Sequence, residues 1–400
     1  PGPLEEDSMT TFLRGFVGAV ALVAMLGSTA AHAQAPIKIG ASLSLTGTYA
    51  KPGTYQKEGY EVCADELNAK GGLLGRKVEF VMYDDQSSTQ TAQRLYEKLI
   101  TEDKVDVVMG PYSSAITESV AGITEKYKKV MVSPLAATTS IFRQGRKYIF
   151  MVISPAEVYL EGLVDMAAKR GLKTIAIVNE DTLFPKATVA GTAELAKKRG
   201  LQIVLQESYP KGNTDFSAML VKIKAANPDV IAAATYFDDA VAITRQMKEL
   251  NVNPKMFGVT VGGDIPEFYT LLKQNAEYVY GSTQWDEALP YPGQKEFLAA
   301  YAKKFKHEPS YHAAAGYAGC LIYAEAAKRA KSLDSDLVRA ELLKLKIRTA
   351  FGDYAVDQDG FQIAHKMVMI QWQDAKRLVV WPDDLANAKM RYPTPPWSQR

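Results

Sequence analysis

Short apolar runs alternate with amphipathic stretches along the chain from Pro36 onward. A strand-like run at 37–45 is followed by a helical stretch near 54–69 and by a second run at 78–83. The alternation continues through further strand-like runs at 105–109, 130–132, 148–154, 174–178, 203–207, 230–234 and 279–283. Continuous apolar runs are typical of parallel strands that helices cover on both faces. The pattern therefore predicts an α/β fold built from doubly wound parallel sheets.

The order of these elements predicts two lobes. A first sheet is complete by about Ser154, and the helix-rich region 294–345, which has no convincing strand, is expected to return to it. We therefore assign 34–153 and 286–352 to lobe 1, and 154–285 and 353–400 to lobe 2. The chain would cross between them near Ser154, Trp285 and Gly352. The last residues, 382–400, lack apolar periodicity and are expected to be extended or frayed.

The first 33 residues indicate a segment that is removed during export and is not part of the fold. Residues 9–33 combine a short apolar core with the triplet Ala31-His32-Ala33, as a cleaved secretory signal peptide does. A retained anchor helix is the alternative, but the apolar core is about half as long as a membrane span requires. Residues 1–8 are acidic, which is the wrong sign for a signal peptide, and are interpreted as vector sequence or a misplaced start. We expect an exported protein beginning at Gln34.

Charge and cysteine content narrow the possible partners. The formal net charge is +2 for all 400 residues, with 47% hydrophobic and 23% charged residues. Such a balance creates no electrostatic field strong enough to attract nucleic acid or an anionic membrane surface. Cys63 and Cys320 are the two cysteines, each on the apolar face of a predicted helix. Two buried thiols are the simpler interpretation, and a disulfide formed after export is the alternative.

Signatures of catalysis and metal binding are missing from the sequence. It has no phosphate-binding P-loop, nucleophile elbow, His-Glu-x-x-His or Cys-x-x-Cys, so we expect no enzyme activity, cofactor or metal. Asp357 and Asp359 suggest a calcium loop, but its later ligands are absent, and a hairpin turn between strands at 354–356 and 367–372 is favoured. Solvated or capping roles are expected for His307, His312 and His365.

Small hydroxyl residues follow two neighbouring strands where those strands end. Ser113 and Ser114 come after the run at 105–109, and Thr138 comes after the run at 130–132. Ligands bind at this edge of an open α/β sheet, where helix N-terminal amides and hydroxyls can hold an anion. The alternative is that these residues are ordinary helix caps. Two adjacent instances favour a carboxylate site.

Several segments carry a resemblance to a known family. Asn68-Ala69-Lys70-Gly71-Gly72-Leu73-Leu74-Gly75, Tyr83-Asp84-Asp85-Gln86-Ser87, Gly110-Pro111-Tyr112-Ser113-Ser114 and Ser133-Pro134 resemble the branched-chain amino-acid (leucine-binding protein-like) periplasmic binding proteins of ABC importers. The resemblance implies the type I fold of two lobes joined by three hinge crossings, a periplasmic location, ligand capture between the lobes and delivery to an inner-membrane permease.

Matching positions to that family gives the expected site residues. Ser113, Ser114, Ala136 and Thr138 match its carboxylate-binding segments. Further positions match cleft-facing segments of the second lobe and hinge: Tyr159, Asp181, Phe184, Tyr236 and Trp285. Amino-acid binders of this family usually carry an acidic residue after the strand matching 256–261, and here that segment reads Thr260-Val261-Gly262-Gly263, with Asp264 displaced.

This departure shapes the expected ligand. A buried ammonium without a paired carboxylate is unfavourable, whereas the aromatic walls suit a ring. We expect a monomer that binds a small apolar or aromatic carboxylic acid, hydroxybenzoate-like or hydroxycinnamate-like. Asp181, Asp238 or Asp264 would accept a hydrogen bond from a ring hydroxyl. The alternatives are an amino-acid binder of the same class and a ligand-sensing regulatory subunit of the same fold.

Overall fold

The first sheet contains five parallel strands. The computed structural model describes Gly2 and residues 34–400, so the predicted signal peptide lies outside the described residues. The strands are β1 (Ile37–Leu43), β2 (Val78–Asp84), β3 (Val107–Met109), β4 (Met131–Ser133) and β5 (Ile149–Met151). Their order is β2-β1-β3-β4-β5. This is a doubly wound order whose switch point lies between β1 and β3.

Helices from two distant parts of the chain cover this sheet. The early ones are α1 (Ala50–Ala69), α2 (Thr89–Thr101), α3 (Ser114–Lys126) and α4 (Thr139–Phe142). The later ones are α10 (Gln294–Phe305), α11 (Tyr311–Ala330) and α12 (Ser335–Lys344), and α11 packs along α1. The helix-rich region therefore packs against the helices of the first sheet.

The second sheet repeats the same winding and then extends it. Its strands are β6 (Thr174–Glu180), β7 (Gln202–Tyr209), β8 (Val230–Ala234), β9 (Met256–Val259), β10 (Tyr280–Thr283), β13 (Val368–Gln373) and β14 (Lys376–Trp381). The order is β14-β13-β10-β9-β8-β6-β7, and β13 and β14 run antiparallel to their neighbours. Its helices are α5 (Glu161–Lys169), α6 (Leu183–Lys198), α7 (Ser217–Ala226), α8 (Phe237–Glu249) and α9 (Pro266–Leu272). Each sheet with its helices is called a lobe below.

A small two-stranded ladder lies between β10 and β13 in the sequence. β11 (Ile347–Thr349) and β12 (Gly352–Tyr354) pair antiparallel with each other. The predicted turn at Asp357 to Gly360 is present, but the predicted strands on either side of it do not pair together. β13 instead pairs with β10 and β14, because its residues are buried on both faces in the second sheet. The predicted domain boundaries remain a prediction.

The structure answers the question that the sequence left open about the cysteines, and two other expectations were wrong. Cys63 and Cys320 form a disulfide between α1 and α11, because the packing of these helices brings their Cα atoms to 6.2 Å. His312 is fully buried rather than solvated, and Ser310 is the cap of α11. The C-terminal segment is not frayed, since Trp397 is 8% exposed and donates its indole N–H to the carbonyl oxygen of Val252 at 2.8 Å.

The described residues contain neither a membrane-spanning helix nor a cluster of metal ligands. Among them, no helix combines the length and the apolar character needed to cross a membrane. Within the same residues, no group of three or more His, Cys, Asp or Glu side chains is arranged to hold a metal ion. Asp357 and Asp359 pair with Arg143 instead.

Candidate functional site

A small cavity lies where the switch points of the two sheets meet. The carboxyl ends of β3 and β8 both lead into it, because each sheet is wound outward from that point. The cavity volume is about 10 Å³, which is room for about one water molecule in this arrangement of the lobes. Its walls come from both lobes: Tyr112, Ser113, Ser114, Leu135, Ala137, Ile153, Tyr159, Phe184, Tyr236, Val261 and Tyr311.

Larger grooves on the surface lack these features. One of about 530 Å³ lies beside α5, lined by Met166, Arg170 and Met390 among others. It is remote from both switch points. The smaller cavity between the lobes is therefore the candidate site.

Ser113 and Ser114 form the polar corner of the cavity. Ser113 caps α3, and its Oγ accepts a hydrogen bond from the backbone N–H of Ile116 at 3.3 Å. Its φ of 72° and ψ of 149° lie in a region that disfavours residues with a side chain, and such strain tends to occur where a ligand is held. The remaining first-turn amides of α3 have no partner inside the helix and face an anion favourably.

Ser114 ties this corner to the next loop of the first lobe. Its Oγ accepts hydrogen bonds from the backbone N–H groups of Ala137 at 3.1 Å and Thr138 at 3.2 Å. Thr138 is 2% exposed, and its Oγ1 has no hydrogen-bond partner among the described residues. Leaving a buried hydroxyl unpaired costs free energy, so Thr138 is suited to a ligand oxygen.

Aromatic rings form the opposite wall of the cavity. The rings of Tyr159 and Phe184 meet edge to face at 4.9 Å, and Phe184 lies 5.8 Å from Tyr236. Tyr112 of the first lobe approaches Tyr236 of the second at 6.2 Å. The Tyr236 hydroxyl is buried without a partner among the described residues, and burial raises its pKa well above the usual range. It therefore stays protonated and can donate to a ligand.

Not every expected residue reaches the cavity. Asp181 is exposed and pairs with Lys186 at 2.5 Å, and Asp238 is exposed on α8. Trp285 is buried, but it donates its indole N–H to the carbonyl oxygen of Ala350 at 2.9 Å and packs on Phe297. Ala136 and Thr138 are buried on either side of Ala137, which lines the cavity although they do not.

The sequence also left some lining residues unnamed. Tyr112 stands inside the same strand-end segment as Ser113, so its position alone was a signal. Tyr311 begins α11, which was expected only to cover the sheet. Its ring stacks on His312 at 3.9 Å, and nothing in the local pattern indicates that this helix start turns toward the cleft.

Asp264 is a buried carboxylate whose charge acts on residues of the cavity. It is 1% exposed, and neither carboxylate oxygen has a well-formed hydrogen bond among the described residues, although the backbone N–H groups of Asp264 and Tyr311 lie close enough to lower its pKa. Burial raises its pKa to about 7, although the positive charge of Arg377 acts in the opposite direction. Its charge is felt by Tyr112, Tyr159 and Tyr311, all of which line the cavity.

Known proteins share this architecture. The sequence profile of the periplasmic binding protein family matches residues 36–377. A Leu/Ile/Val-binding protein homolog 7 from Brucella suis is 28% identical over 396 residues, covering 93% of this chain and 98% of that protein.

Solved structures are similar over most of their length. The leucine binding protein LivK from Thermotoga maritima has a TM-score of 0.80 and 26% identity, covering 87% of this chain and 100% of its own. A solute binding protein of an ABC transporter from Rhodopseudomonas palustris, solved with 3,4-dihydroxybenzoic acid, has a TM-score of 0.78 and 22% identity, covering 91% and 99%. The chain belongs to the periplasmic binding protein family, the solute-binding proteins of ABC importers.

Proposed function

We propose that this protein captures a small aromatic carboxylic acid between its lobes and delivers it to an ABC permease. The observation that carries the proposal is the lining of the cavity between the lobes, which has hydroxyl groups at one end and rings from both lobes around the rest. At about 10 Å³ this cavity is far smaller than the roughly 300–1,000 Å³ of pockets for drug-sized ligands, so the lobes must move apart before a ring can enter.

The ligand's carboxylate is assigned to the first lobe. The N-terminus of α3 favours negative charge, and the unpartnered hydroxyl of Thr138 lies in the next loop. Within the part of the chain that the structure describes, no Arg or Lys lines the cavity. Ser113, Ser114 and Thr138 would thus hold the anion through hydroxyl and amide hydrogen bonds.

The ligand's ring is assigned to the aromatic wall. Burying about 150 Å² of ring surface contributes roughly 4 kcal/mol at about 25 cal/mol per Å². Tyr159, Phe184 and Tyr236 supply that surface. The neighbour from Rhodopseudomonas palustris, which holds 3,4-dihydroxybenzoic acid in the same fold, supports this choice. A ring hydroxyl would donate to Asp264, and Asp181 and Asp238 drop out because they are exposed.

An amino acid is the second candidate, and Asp264 is the observation that favours it. A buried carboxylate without a well-formed hydrogen bond would pair with an ammonium group. The Brucella suis relative is a homolog of Leu/Ile/Val-binding proteins, which supports the same choice.

Calorimetry on protein that has been unfolded, dialysed and refolded separates the two candidates. 4-Hydroxybenzoate, phenylacetate and leucine are titrated in turn. We expect an aromatic acid to bind at least tenfold more tightly than leucine. Leucine binding more tightly than both aromatic acids would contradict it.

The variant Asp264→Asn sharpens this comparison. An amide can still accept a hydrogen bond from a ring hydroxyl, so binding of 4-hydroxybenzoate should weaken about tenfold or less. A buried ammonium would lose its counter-charge, so binding of an amino acid should weaken at least about a hundredfold. Asp181→Asn, which changes an exposed carboxylate of the same lobe, is the control.

A further inference from the structure

An ion pair joins the two lobes outside the cavity. Lys51, in the first turn of α1, places its Nζ 3.0 Å from Oε1 of Glu267, in the first turn of α9. Tyr55, one turn further along α1, donates its hydroxyl to Oε2 of Glu267 at 2.9 Å. One carboxylate of the second lobe thus receives a donor on each oxygen from the first lobe. None of the three residues lines the cavity.

The first lobe holds Tyr55 in place for this contact. Tyr55 is 2% exposed, and its ring meets the ring of His307 edge to face at 5.6 Å. Glu58 accepts hydrogen bonds from Tyr301 and from His307, which fixes that histidine. The Tyr55 hydroxyl is therefore oriented toward the second lobe by packing within the first.

The charges of the partners suit a strong hydrogen bond. Burial and the nearby Glu267 charge raise the pKa of Tyr55, so its hydroxyl stays a donor. Burial alone would raise the pKa of Glu267, but the hydrogen bonds and charge of Lys51 and the bond from Tyr55 outweigh it and lower the pKa. A neutral donor and an ionised acceptor form a charge-assisted bond, which is stronger than one between neutral groups.

We propose that Lys51, Tyr55 and Glu267 form an interlobe clasp that stabilises the closed arrangement without touching the ligand. Contacts that exist only when the lobes are together shift the open–closed equilibrium toward the closed form. The clasp therefore sets how much of the free protein is closed. It goes beyond the proposed ligand, since it operates whichever molecule the cavity takes.

Spin-label distances in ligand-free protein test the clasp directly. Labels are attached to cysteines introduced at Gln90 and Lys198, which are exposed positions on the first and second lobes. The native disulfide is buried and does not react with the label. The closed-to-open ratio should fall about three- to tenfold in Glu267→Gln and by a smaller factor in Tyr55→Phe. Added salt should lower it in the parent more than in Glu267→Gln.

The control is Glu61→Gln, which removes an ion pair with Lys57 on the same helix but within one lobe. It should leave the ratio unchanged. Tyr55→Phe keeps the buried ring, so it tests the clasp even if Glu267→Gln fails to fold. The proposal is overturned if ligand-free parent has no closed population, or if both variants match the parent. No ligand enters the measurement, so its failure is distinct from failure of the proposed function.

Discussion

Thr138 carries a buried hydroxyl next to the lining residue Ala137. Its buried Oγ1 has no partner among the described residues, so removing it leaves no protein group unpaired. Thr138→Ala should therefore weaken carboxylate binding about tenfold to a hundredfold, since a hydrogen bond to a charged group contributes roughly 1.5 to 3 kcal/mol. Calorimetry with 4-hydroxybenzoate measures the change.

Thr124→Ala is the matched control for this prediction. Thr124 is a buried threonine on α3 whose Oγ1 donates to the carbonyl oxygen of Ala121 at 3.1 Å, away from the cavity. Affinity within twofold of the parent is expected for it. The same result for Thr138→Ala would remove that hydroxyl from the site.

The raised pKa of Asp264 predicts that the stability of the protein depends on pH. Its pKa is about 7 in the folded protein because of burial, against 3.8 in the unfolded chain. The folded state therefore binds the extra proton, and stability is lost as pH rises from 4 to 7. Asp264→Asn should increase the free energy of unfolding by roughly 3 to 4 kcal/mol at pH 8 and by little at pH 4.

Urea unfolding from pH 4 to pH 8 measures this difference. Asp181→Asn serves as the exposed control. A stability gain from Asp264→Asn that is equal at both ends of the range would mean that Asp264 is ionised throughout, and the assignment of a buried, unpaired carboxylate would be wrong.

The sequence predicted those site residues whose position follows from where a strand ends. Ser114 lines the cavity, and Thr138 lies next to the lining residue Ala137, because the carboxyl ends of parallel strands share one edge. Asp181 and Trp285 do not line the cavity, because a side chain's direction depends on packing that spacing does not encode. Trp285 turns instead toward Phe297 and Ala350.

At the scale of elements, the disulfide between α1 and α11 has a measurable consequence. It joins residues 257 apart in sequence and links the two segments of the first lobe. Cross-linking so long a loop restricts the unfolded chain, and disulfides typically contribute about 2 to 4 kcal/mol. The double variant Cys63→Ser, Cys320→Ser should lower the free energy of unfolding by about that amount.

Ligand affinity should depend little on this disulfide. Both cysteines lie outside the cavity lining, so binding by the folded double variant should stay within about threefold of the parent. Unchanged stability on reduction or substitution would show that helix packing alone holds α1 and α11 together.

Element type was easier to predict than element pairing. Apolar runs marked the parallel strands, and α1 merely begins earlier than expected, since Pro52 is tolerated in a first turn. β14 was missed because Lys376 to Trp381 gains its strand partners only from β13. The C-terminal segment was misjudged because a single tryptophan, Trp397, fixes it to the second lobe.

At the scale of the whole molecule, we predict that the two lobes close on the ligand. A cavity with walls from both lobes gives its ligand contacts that exist only when the lobes meet. Small-angle scattering should therefore give a smaller radius of gyration when 4-hydroxybenzoate saturates the protein. The Thr138→Ala variant at the same ligand concentration should give a value between those of free and saturated parent.

An unchanged scattering curve would argue against hinge closure if calorimetry shows micromolar affinity or better in the same buffer. The three predicted crossings near Ser154, Trp285 and Gly352 would then need to be replaced by a rigid connection.

Selection of an aromatic carboxylic acid can be tested by native mass spectrometry of refolded protein incubated with a mixture of aromatic acids, aliphatic acids and α-amino acids at equal concentrations. We expect the parent to retain one small aromatic carboxylate and Thr138→Ala to lose it. Retention of an α-amino acid in preference to every aromatic acid would rule out the proposed ligand class.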